Sequence, residues 1–171
     1  LAEILRKQYG YNVMHHMGQY DVEKRDYAYS NSLPALEAIL KENPSIEVVI
    51  DLHRDGLDGE KLVTQIDGKQ VAKIMFFNGL SRTTAMGDID YLYNPYIADN
   101  LAISFQMQLK AAEYYPGFTR RIYLKGYRYN MHYCPKTLLI EVGAQTNTVS
   151  EAMNAMVPLA DLLNKVLTAQ R

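Results

Sequence analysis

Tryptophan is absent from this chain of 171 residues, cysteine occurs once, at Cys134, and histidine four times. A single cysteine cannot close an intramolecular disulfide, and one Cys with so few His excludes a Cys-rich zinc ribbon. Any metal would have to be held by histidine and carboxylates. Charge of one sign is scarce as well: 18 Lys+Arg against 19 Asp+Glu leave a formal net charge of -1. That balance supplies no basic field for nucleic acid or anionic lipid, so no nucleic-acid partner is expected. Long hydrophobic runs are missing; the strongly apolar stretches, such as Leu138–Ile140, are strand-sized, far short of the about 20 residues of a membrane span. With 10 Gly and 6 Pro the composition is neither collagenous nor disordered.

What is present is an ordinary globular balance, 48% hydrophobic and 22% charged, at a length that fits one domain of about 100–200 residues. The chain opens at Leu1 in a helical pattern, without an initiating Met or a signal peptide, and is therefore expected to be a piece of a longer polypeptide.

Apolar residues at Leu1, Ile4 and Leu5 followed by Gly10 predict a helix with a glycine stop. Tyr11–His15 has the pattern of a short strand, and Arg25–Leu40 that of a helix carrying Pro34 inside it. The β-branched run Val48-Val49-Ile50 leading into Asp51-Leu52-His53 predicts a central parallel strand buried on both faces. Leu62–Ile66 and Val71–Phe77, separated by Asp67-Gly68, read as a hairpin. An irregular loop over Thr83–Asn94 precedes a long helix over Pro95–Tyr115. Arg121–Leu124 and Thr137–Val142 are the last strands, and an amphipathic helix opens at Ser150, with Pro158 as a possible bend. This order predicts an α/β fold, a three-layer sandwich with a mostly parallel central sheet flanked by helices.

Parallel sheets place functional groups where strands end in loops at the carboxyl edge. In Asp51-Leu52-His53-Arg54-Asp55-Gly56 an apolar strand ends in a cluster of titratable side chains, and in Ile140-Glu141-Val142-Gly143 a carboxylate sits in an apolar strand end. Alternation sends Asp51 and His53 to one face and Leu52 to the other, so Asp51 could orient His53 or lie beside it. A neutral imidazole suits zinc, and a desolvated glutamate beside a metal-bound water suits a general base. His53 and Glu141 fit those roles; a hydrogen-bonded core histidine and a glutamate paired with a base are the structural alternative. His132 lies in the aromatic run Tyr127–Tyr133 with Arg128, which fits either a cleft for sugar or peptide or ordinary surface packing. His15-His16 reads as an exposed loop pair, Cys134 as a packed thiol, and Arg120-Arg121 with Lys110 as solvated surface.

Taken together, the strings Val48–Gly56, Tyr115-Pro116-Gly117-Phe118-Thr119-Arg120-Arg121-Ile122, Tyr129-Asn130, Leu138–Gly143 and Asn147-Thr148 resemble, in order along the chain, the stage II sporulation protein P family, which is related to zinc-dependent N-acetylmuramoyl-L-alanine amidases. The resemblance implies a peptidoglycan hydrolase that cuts the amide between N-acetylmuramic acid and L-alanine, with a second endopeptidase activity on cross-links, during sporulation engulfment. A noncatalytic wall-binding or complex-assembly module of the same fold is the alternative. It implies zinc as cofactor, His53 as a metal ligand and Glu141 as the catalytic glutamate, with Arg54, Arg128 and His132 as candidate substrate contacts. Residues 1–171 would form a single amidase-like catalytic domain that lacks the family's N-terminal strand, where a further ligand is expected. The resemblance also implies a membrane-anchored parent on the extracytoplasmic face of the cytoplasmic membrane at the sporulation septum, with a lytic transglycosylase and a membrane recruiter as partners.

Overall fold

The computed structural model describes residues 1–22 and 24–169. Helix α1 (Ala2–Tyr9) stops at Gly10, whose φ of 70° lets the cap amide bond back to the Leu5 carbonyl. A 3-10 turn, Arg25–Tyr27, leads into α2 (Ala28–Glu42), followed by β1 (Val49–Asp55), β2 (Val63–Ile66), β3 (Lys69–Ala72) and β4 (Ile74–Gly79). After two residue-pair strands, β5 (Arg82–Thr83) and β6 (Gly87–Asp88), come α3 (Ile97–Tyr114), β7 (Tyr123–Lys125), β8 (Thr137–Ala144) and α4 (Val149–Thr168).

The central sheet runs β1-β8-β4-β7. Its pairs β1·β8 and β4·β7 are parallel and β4·β8 is antiparallel. One face, with Ile74, Phe76, Leu138, Ile140 and Val142, packs into a core with Leu5 of α1, Met107 of α3 and Leu159 and Leu163 of α4. The other face carries Met75, Phe77 and Leu139 beneath Tyr29 of α2 and Tyr129. Helices therefore flank a mostly parallel sheet on both sides, the three-layer α/β sandwich that the sequence predicts. The layers are unequal: no residue of α2 is fully buried, which leaves the second face half open.

Three expectations change. The strands buried on both faces are β4, buried at every residue, and β8, buried at every residue except Glu141; β1 lies at the edge of the described sheet, with Leu52, His53 and Arg54 exposed. The last strand of the chain has inserted between β1 and β4, a neighbour relationship that local pattern does not encode. Tyr11–His15 forms no strand. The Val13 carbonyl is instead taken by the Arg6 guanidinium at 3.0 and 2.6 Å. The predicted hairpin divides: Asp67 and Gly68, both at positive φ, turn β2 into β3 as a separate ribbon, and only β4 joins the main sheet.

Helix α4 starts one residue before the predicted Ser150, because Thr148 and Glu151 cap it reciprocally: the Glu151 amide donates to Thr148 Oγ1 at 3.2 Å and the Thr148 amide to Glu151 Oε2 at 2.8 Å. The turn that joins β8 to this cap is tied by Asn147, whose Oδ1 accepts from the Ala144 amide at 2.9 Å. A side chain at Gly143, at φ 63°, would lie 2.5 Å from that same oxygen, so the turn itself requires glycine here.

Candidate functional site

His53 and Glu141 are register partners in the parallel pair β1·β8, so their side chains rise side by side from the half-open face. Asp51, two residues earlier, shares that face. His53 Nε2 donates to Asp51 Oδ1 at 2.5 Å, and the Tyr29 hydroxyl donates to Asp51 Oδ2 at 3.3 Å. With the Nε2 proton directed at Asp51, Nδ1 is the acceptor in the neutral ring and a second donor in the charged one. The Tyr29 ring lies nearly parallel to the imidazole, with centroids 6.2 Å apart and an 8° interplanar angle. His53 remains 43% exposed. Its pKa is raised, first by the Asp51 hydrogen bond, against the opposing effect of burial, and further by the Asp51 and Glu141 charges.

Glu141 is half-buried, and its Oε2 is enclosed without a hydrogen-bond partner. Burial raises its pKa; the charges of Asp55 and Asp51 push the same way, while His53 and Arg120 pull it down. A carboxylate that holds its proton more tightly than usual and has an unbonded oxygen is equipped to accept a proton and return it.

Arg120 is the residue that sequence reasoning misplaced on the solvated surface. Its backbone amide donates to the Ile74 carbonyl at 2.7 Å, which anchors it to β4, and its Nη1 donates to Asp55 Oδ2 on β1 at 2.6 Å. Since β8 lies between β1 and β4, this ion pair crosses the end of β8 beside Glu141. The signal was present in the family-like strings, which contain both Arg120 and Asp55. It could not be decoded without the strand order.

The other candidates fall elsewhere. Arg54 lies where the β1 register breaks, between His53 and Asp55, and lines a groove with Leu52, His53, Val142, Ala144 and Met153. Arg128 donates to the Tyr93 carbonyl at 3.1 Å, and its own carbonyl approaches Gly79, which places it near the amino end of β8 and away from Glu141. His132 packs against Tyr133, centroids 3.7 Å apart, with an enclosed, unpartnered Nδ1. Burial and the Arg128 charge bring its pKa down to about 4. The link from this loop to the site is Tyr129, whose ring meets Tyr29 edge-on at 5.2 Å and Phe77 at 4.7 Å. Cys134 is buried and its Sγ donates to the Glu47 carbonyl at 3.1 Å; burial raises the thiol pKa, as befits a packed residue. His15 and His16 are exposed.

Among the described residues no group of three or more His, Cys, Asp or Glu converges in a way that could hold a metal ion. His53, with Asp51 already bonded to its Nε2, is a single donor, and catalytic zinc sites take three from the protein. The described residues alone do not fit zinc.

The chain is a mostly parallel α/β sandwich that sets an imidazole on its edge strand β1 beside a half-buried carboxylate on the interior strand β8, both on the thinly covered face. A family model described as Stage II sporulation protein P (SpoIIP) matches residues 1–164, and the chain belongs to this family of sporulation proteins. It is 24% identical over 144 residues to stage II sporulation protein P of Bacillus subtilis (strain 168), which covers 81% of this chain and 33% of that protein. The chain thus spans about a third of the length of that relative. No solved structure matches it.

Proposed function

We propose that the protein is a peptidoglycan hydrolase that cleaves the N-acetylmuramoyl-L-alanine amide, with Glu141 as the proton-transfer group. The observation that carries this reading is the enclosed, unpartnered Glu141 oxygen, with a raised pKa, on the strand that pairs with His53. In amide hydrolysis a water oxygen bonds to the carbonyl carbon and loses a proton to Glu141. The carbon–nitrogen bond then breaks and the same proton passes to the departing L-alanine nitrogen. His53, fixed by Asp51 and Tyr29, presents its other ring nitrogen, Nδ1, to the reacting groups. Zinc remains part of the proposal on the family resemblance alone, with His53 as one ligand and the remaining donors outside the described set.

The incomplete donor set favours a second reading, a wall-binding or assembly module that has kept the fold. Incubation of purified sacculi with the full-length protein, with mass spectrometry of the released material, tests the choice. Free stem peptides with an L-alanine amino terminus support the amidase, and binding without release supports the module. A second endopeptidase activity, action at the sporulation septum on the extracytoplasmic side of the membrane, and partnership with a lytic transglycosylase and a membrane recruiter are proposed on the same resemblance. No helix among the described residues is long and apolar enough to cross a membrane.

A further inference from the structure

We propose that Arg120, clamped to Asp55 across the end of β8, is the receptor for a substrate carboxylate, so that the site selects an acidic peptide next to the amide it cuts. The inference rests on the amidase reading and adds a specificity determinant to it. Arg120 is held at both ends, by its backbone amide on Ile74 and by Nη1 on Asp55, so its guanidinium has little freedom left to lose. Its Nε and Nη2 have no hydrogen-bond partner among the described residues, although the side chain is only 25% exposed. Those two N–H groups form the side-on fork of a guanidinium, which matches the two oxygens of a carboxylate.

Charge on this face makes such a receptor necessary. Asp51, Asp55 and Glu141 all point into the site, and an anionic peptide would be repelled unless a cation met it. Arg25 adds positive charge near Gly56 and His53, on the α2 side, whereas Arg120 lies beside the group that moves the proton. A guanidinium half neutralised by Asp55 and half open sets the substrate's carboxylate against Glu141 without forming a closed ion pair of its own. Lysine, a point charge with no fork, cannot reproduce the geometry.

The test uses the full-length protein carrying Glu141→Gln, so that substrate is bound without turnover, titrated calorimetrically with N-acetylmuramoyl tripeptide whose carboxyl group nearest the scissile amide is either free or converted to a carboxamide. The expected preference for the free carboxylate is about ten- to a hundredfold, the range of a hydrogen bond to a charged group. Adding Arg120→Gln abolishes the preference, Arg120→Lys retains a small part of it, and Asp55→Asn, which leaves the guanidinium unclamped, weakens binding of the carboxylate form alone. Circular dichroism melts establish that each variant is folded; should Arg120→Gln unfold, Arg120→Lys and Asp55→Asn carry the test. An Arg120→Gln protein with an undiminished preference would overturn the proposal. Equal binding of both forms, by a protein whose Glu141-containing version cleaves sacculi, would overturn it while leaving the amidase reading intact. Binding of neither form, with intact sacculi, would overturn both.

Discussion

Glu141 faces His53 across the β1·β8 pair in direct register, and it is the one residue of β8 that is not buried. An acid in that position weakens the fold it belongs to. Its pKa is raised above the usual carboxylate value, so the ionised form is disfavoured in the folded state, and the penalty is absent below the unfolded pKa and complete above the folded one. Glu141→Gln is therefore expected to melt at a higher temperature than the wild type at pH 7, with the difference vanishing as the pH falls below the unfolded value of 4.5. Scanning calorimetry at several pH values measures it, and a variant less stable at pH 7 would mean that the carboxylate holds the fold together.

Asp51 governs the imidazole. The hydrogen bond to His53 is the largest cause of its raised pKa, so Asp51→Asn should lower the His53 pKa toward its ordinary 6.5, as followed by the NMR titration of the ring protons. Cleavage of sacculi should fall in parallel, because the ring loses its fixed orientation. An unchanged titration would show that the Asp51 contact does not form in solution.

His132 contributes a pH dependence of opposite sign to that of Glu141. Burial and Arg128 hold its folded pKa at about 4, against 6.5 in the unfolded chain. Between those values the unfolded chain binds the proton and the fold does not, so the stability is present above pH 6.5 and is lost as the pH falls toward 4. Urea unfolding of His132→Gln should accordingly show a smaller loss of stability from pH 7 to pH 5 than the wild type. An equal loss in the two proteins would place the titration elsewhere.

The core prediction concerns the strand that carries the site. Ile140 is fully buried next to Glu141, and Ile140→Ala should cost about 2–5 kcal/mol by loss of burial and creation of a cavity. Thr148→Ala, which removes half of the reciprocal cap on α4, should cost only about 1 kcal/mol. Paired urea melts order the two, and a larger effect at the cap would contradict the packing described.

Local pattern carried most of the elements, because helices α1, α3 and α4, the Asp67-Gly68 turn and the β8 run each answer to a nearby capping, periodicity or turn signal. Strand order was not legible. The β-branched run at Val48–Ile50 looks like a sheet centre, yet the central positions went to β8 and β4, which arrive later in the chain. The alternation of Tyr11–His15 was real but met no strand to pair with among the described residues. For the site, His53 and Glu141 were visible as titratable groups at apolar strand ends, whereas Arg120 was not, since its meaning comes from a partner 65 positions away. Arg128 and His132 looked like substrate contacts through their aromatic neighbours in sequence, and the fold carried Arg128 toward the amino end of β8.

The most direct measurement of the central claim is the release of stem peptides from purified sacculi by the full-length protein and by its Glu141→Gln variant, followed by mass spectrometry alongside pulldown on the same wall. If Glu141 transfers the proton as proposed, its replacement should reduce turnover by about 10²–10⁴-fold while wall binding persists. Release at a near-normal rate by the Glu141→Gln protein would contradict the account.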